Sequence, residues 1–204
     1  MNTIILAAAA SVSLATNPVE PSSPTAPPKL VAATGVGGCI YRKLPEDISR
    51  KAVLAILTHT SIATVLREPV ARTAPKCTGQ PFSDSDGDVV GAVVSVYART
   101  VTAVTLGRDL HLEERQLYDA WAVATDAERA PFLASAHSFL QPGVEYAAAA
   151  PDAAAPLVHR LGIGANAEGP SVLRLVALYY SAMALNELAE ARLKARGASA
   201  TDGR

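Results

Sequence analysis

Aromatic rings are scarce in this chain: they make up 5% of 204 residues, with a single tryptophan, while half of all residues are hydrophobic. The apolar content is therefore mostly alanine, valine and leucine, which suits close helix packing and leaves little material for an aromatic ligand cage. A basic excess is also missing, since 18 Lys and Arg face 19 Asp and Glu. The densest basic groupings, Arg192/Lys194/Arg196 and Arg42/Lys43, are short. That argues against nucleic acid as a partner, because phosphate contacts demand clustered cations. The chain holds no H-E-x-x-H, no P-loop and no G-x-S-x-G elbow, so none of these sequence-readable catalytic frames is present.

Only two cysteines are present, Cys39 and Cys77. The N-terminus supplies their context. Ile4 to Leu14 is an apolar stretch of leader length, and Ser13-Leu14-Ala15 offers small residues for cleavage, so residues 1–15 are expected to be a signal peptide. Residues 16–38 carry Pro18, Pro21, Pro24, Pro27 and Pro28 and read as a flexible Pro-rich linker. Export places the protein outside the cytosol, in the periplasm or secreted, where one disulfide Cys39–Cys77 is the simplest pairing. The small residues of "GVGGC" before Cys39 also resemble a lipobox, which leaves a lipidated Cys39 as the alternative.

Beyond the linker, the apolar spacing is helical. Residues 39–197 are expected to form one all-α domain, a compact bundle of about five to seven helices, followed by a frayed tail at 198–204. Pro45, Glu46 and Asp47 open a helix that places Ile48, Ala52, Ala55, Ile56 and His59 on one face, and a fresh start is expected near Ser61. Pro69, Pro75, Gly79 and Pro81 mark an irregular segment around Cys77. Residues 89–106 favour a strand by their valines and threonines. Yet Val90, Val94, Tyr97, Val101 and Val104 recur at helical spacing, without a turn signal before Gly107, and helix is the reading preferred. Thr125-x-x-Glu128 is a capping box between two helices. Tyr118 and Trp121 share a helix face, read as core. Pro170 opens the last helix and Gly197 follows it; Glu190 and Lys194 stand at ion-pair spacing. Its two apolar seams, Val172/Val176/Tyr179/Met183 and Leu175/Leu178/Ala182/Leu185, predict a helix buried on several sides.

Candidate sites are few. "SDSDGDVVGAVV", from Ser83, offers Asp84, Asp86 and Asp88 at alternate positions of a calcium loop, but Val89 and Ser95 stand where an EF-hand needs glycine and glutamate. Helix-start chemistry explains the stretch better. "GIGANA", from Gly162, matches a dinucleotide fingerprint, but Pro170 delays the following helix and no second βα unit has room. The histidines, His59, His111, His137 and His159, show no ligand spacing; His111, Glu114 and His137 make a candidate zinc set across a helical hairpin. No cofactor is expected. The reading that follows is a non-catalytic exported helical module that binds a protein partner, forms a homo-oligomer or serves the envelope. Its alternatives are a small exported hydrolase or metal-dependent enzyme, and a membrane-associated subunit using 89–106 or 172–185. After leader removal no integral membrane span is expected, because Arg99 interrupts the first of these.

Overall fold

The computed structural model describes residues 31–57, 61–82, 87–141, 144, 146–164 and 169–197. The expected leader, most of the linker, His59, Asp84, Asp86 and the tail lie outside them. Among the described residues the chain is all-helical, with nine α-helices and one 3-10 turn. The helices are α1 (Gly35–Lys43), α2 (Glu46–Leu57), α3 (Ile62–Thr73), α4 (Pro75–Thr78), α5 (Gly87–Leu110), α6 (Glu114–Ala122), α7 (Asp126–Phe139), α8 (Ala155–Arg160) and α9 (Pro170–Ala195). The count exceeds the expected range because α4 and α8 are only 4 and 6 residues long and α1 starts inside the stretch read as linker.

The centre is the pair α5 and α9, 24 and 26 residues long. They pack against each other; α1, α2 and α3 gather on α5, and α7 on α9. Every residue from Val89 to Arg99 is buried, so tertiary burial overrides the strand propensity of the valines. The hydroxyls that would trouble an apolar core bond back along the helix: Ser95 to the carbonyl of Ala92 at 2.7 Å, Thr102 to Ala98 at 2.7 Å and Thr105 to Val101 at 2.9 Å. Both long helices are apolar enough to cross a membrane, with mean hydropathy 1.6 and 1.2, but 78% of the α5 window is buried within this fold. Asp88, in the first turn of α5, reaches Arg192 at 3.5 Å and Arg196 at 2.5 Å, tying the start of α5 to the end of α9.

Several local expectations meet their physical cause here. Ser61 caps α3, its hydroxyl accepting the backbone N–H of Thr64 at 3.2 Å. Thr125 and Glu128 form the capping box of α7. Trp121 is buried, between Phe132 and Tyr180 at ring distances of 5.8 and 5.5 Å. Pro69 departs from expectation: it lies inside α3, where its missing N–H frees one carbonyl without ending the helix, and Thr73 bonds back to its oxygen at 2.9 Å.

Cys39, on α1, and Cys77, on α4, form a disulfide with Cα atoms 5.9 Å apart. Both are buried, and the bond removes Cys39 as a lipid acceptor. The glycines of "GVGGC" have a packing cause instead. A Cβ on Gly37 would stand 2.4 Å from the carbonyl oxygen of Ala92, so only glycine lets α1 lie this close to α5.

Candidate functional site

The structure separates the candidate metal ligands. His111 and His137 are exposed, and His137 turns its Nδ1 to the carbonyl of Leu133, 2.9 Å away. Glu114 points the other way, into the core, with 2% of its side chain accessible. Among the described residues no group of three His, Cys, Asp or Glu converges on one point. Asp88 is held by its two arginines, and α8, not a strand, precedes Gly162.

What Glu114 does form is a buried polar cluster. Its Oε1 stands 3.1 Å from Nε of Arg99, whose side chain is 5% accessible. That contact is a close ion pair without hydrogen-bond alignment, since Nε of Arg99 has no hydrogen-bond partner. Tyr179 donates its hydroxyl to the same oxygen at 3.3 Å. Arg99 donates through Nη1 to the Tyr118 hydroxyl and through Nη2, at 3.4 Å, to the carbonyl of Val31. The backbone N–H of Val31 donates to Oε2 of Glu114. Burial raises the Glu114 carboxyl above the ordinary glutamate range, and the Val31 N–H, Arg99 and Tyr179 offset this only in part. Burial also pushes the Tyr118 hydroxyl up. The cluster clamps residue 31 of the incoming chain onto α5 and α6. It has the partners of a structural lock, and each of its polar groups is turned toward protein.

A large open feature lies elsewhere. A groove of about 610 Å³ runs between the α2–α3 corner, the segment 146–151 and the first turns of α9. Ile56 near the end of α2, Ile62 at the start of α3, and Leu175 and Leu178 of α9 line it. Ala147, Ala148 and Ala149 of the alanine run also line it, and their methyl groups fill little space beside α9. That run lies outside any helix and is pinned by three hydrogen bonds. The N–H of Ala149 donates to the Ser181 hydroxyl at 2.9 Å, the Tyr146 hydroxyl to the carbonyl of Leu178 at 3.5 Å, and Ser135 to the carbonyl of Ala147.

Consequently the burial of α9 is uneven. Val176 to Leu185 is buried apart from half-buried Leu178, whereas Val172 and Leu175 are half-buried and Leu175 and Leu178 face the groove. The seam read as core is core only in its second half. Arg174, exposed, and Ser171 supply the polar edge. Among the described residues no carboxylate pairs with Arg174. Sequence reasoning missed the groove, although one signal pointed to it: an apolar helix face set opposite a stretch of side chains one carbon long.

Comparison with known proteins gives no matching family model, no similar curated protein and no similar solved structure.

Proposed function

We propose that this protein is a non-catalytic binding module that works outside the cytosol and takes an apolar ligand into the groove between the α2–α3 corner and α9. One observation carries the reading: an apolar concavity of about 610 Å³, within the size range of small-molecule sites. The Cys39–Cys77 disulfide supports an oxidising compartment. The leader expected at residues 1–15 points the same way.

The test is binding of a neutral solvatochromic dye, Nile red, to the full oxidised chain. The dye brightens and shifts to the blue with the native protein, and Leu178→Arg abolishes the change while helix content by circular dichroism stays at the parent level. An unchanged dye response in that variant would place the apolar surface elsewhere and sink the reading. Stoichiometric metal in the purified protein, or turnover in a hydrolase substrate screen, would replace it with the enzyme alternative.

A further inference from the structure

We infer that the occupant of this groove is a single-chain aliphatic monocarboxylate, its chain lying along Leu175 and Leu178 and its carboxylate meeting Arg174 at the groove edge. The assignment rests on the groove reading and adds the chemistry of the ligand to it.

Charge and shape carry the argument. The described lining supplies aliphatic and methyl surface, with Tyr146 its one aromatic ring, so the site fits a flexible alkyl chain better than a flat ring that needs stacking. Among the described lining residues Arg174 is the one charged side chain, and it has no acidic partner among the described residues. Its guanidinium presents two parallel donors that match a carboxylate. The Ser171 hydroxyl, three residues earlier on α9 and on the same lining, offers a further donor. One cation balances one negative charge. A phosphate monoester carries about −1.5 to −2 at neutral pH and would leave charge uncompensated beside apolar walls, so the carboxylate is favoured. An amine head would face Arg174 as a like charge.

The experiment titrates the full oxidised chain with dodecanoate, dodecanol and dodecyl phosphate, each below its micelle concentration, reading displacement of Nile red. Dodecanoate is expected to bind about tenfold more tightly than dodecanol, the size of one charge-assisted hydrogen bond. Arg174→Gln, an exposed change, brings the two to near parity. Ala148→Phe fills the groove from the exposed segment and weakens both, which covers the case of a Leu178→Arg chain that does not fold. Equal binding of acid and alcohol by the parent protein overturns the carboxylate assignment and leaves the groove reading standing. Tighter binding of dodecyl phosphate than of dodecanoate overturns it in favour of a phosphate head. Binding of neither, or binding indifferent to Ala148→Phe, overturns both proposals. So does sedimentation showing a dimer that Leu178→Arg dissociates, because the groove is then covered by a second copy.

Discussion

Glu190 and Gly37 lie 153 positions apart, yet Oε1 of Glu190 accepts the backbone N–H of Gly37 at 2.9 Å. Its Oε2 accepts the N–H of Val36 at 3.2 Å. The side chain of Thr34, the residue before α1, makes no cap, so α9 supplies one from a distance. A negative group at a helix N-terminus also meets the positive end of its dipole. Gly35, with φ of 72°, turns the chain into the helix; a Cβ there would stand 2.5 Å from the Glu190 carboxyl carbon. The spacing in sequence suggested Lys194 as the partner of Glu190, and tertiary structure reassigns the carboxylate to α1.

Glu190→Ala therefore removes a cap, not a surface ion pair. Unfolding in urea is expected to show a loss of about 1–2 kcal/mol, as for other N-caps. Lys194→Ala on the exposed side of the same helix stays within about 0.5 kcal/mol of the parent. Equal losses at the two positions would restore the pair read from spacing.

The staple carries more. Opening the Cys39–Cys77 bond frees a loop with a sequence separation of 38, and the chain-entropy relation puts the cost at about 4 kcal/mol. That is much of a small domain's net stability. The double variant Cys39→Ser/Cys77→Ser should show a matching drop in ΔG by denaturant titration, and the parent, unfolded without reductant, should present no titratable thiol. Two titratable thiols would defeat the staple. The intact mass, measured on protein from each cell fraction, reports whether residues 1–15 have been cut away.

Acid and base act on two glutamates with opposite sign. The native Glu114 carboxyl is raised by burial, so the folded state holds that proton more tightly than the unfolded chain. Its stabilising contribution is complete below the unfolded pKa and is lost as pH rises through the raised native value. Glu128 is lowered, first by the N–H of Thr125 and then by Arg160. Its contribution is present above the unfolded pKa and is lost as pH falls through the lowered native value. The stability difference between parent and Glu114→Gln should therefore shrink from acid to neutral pH, and that for Glu128→Gln should grow. Urea midpoints across the range check both slopes, and parallel slopes would refute the assignment.

How much of this was open to a reader of the sequence depends on the distance over which each cause acts. The Thr125 and Ser61 caps and the Pro170 start of α9 are set within a turn or two, and spacing alone reveals them. Spacing located α5 as well, but tertiary burial, which takes in Ser95, Arg99 and Thr102 and leaves Val104 exposed, holds its valines in a helix. The disulfide needed only two cysteines and a compartment. Long-range geometry was hidden. Gly37 reads as lipobox filler until Ala92 is found against it, Glu114 as a metal ligand until Arg99 is found beside it, and the groove exists only once the fold brings Ala148, Ile56, Leu175 and Leu178 to one lining.

The Arg99–Glu114 cluster allows stability to be separated from chain docking. Arg99→Leu leaves a carboxylate buried without its counter-charge, which costs about 3–5 kcal/mol where such pairs have been broken. Replacing both, as Arg99→Leu/Glu114→Met, removes the stranded charge, and apolar substitutes of similar volume are often neutral or better. The double variant should thus recover most of the loss in a urea titration. It should not recover the clamp, because Val31 gives its N–H to Glu114 and its carbonyl to Arg99, and an apolar pair offers neither. Hydrogen exchange at the Val31 amide is then expected to be fast in a double variant whose α5 amides remain protected as in the parent. Slow exchange at Val31 in that variant would show that packing holds the segment and that the ion pair serves the core alone.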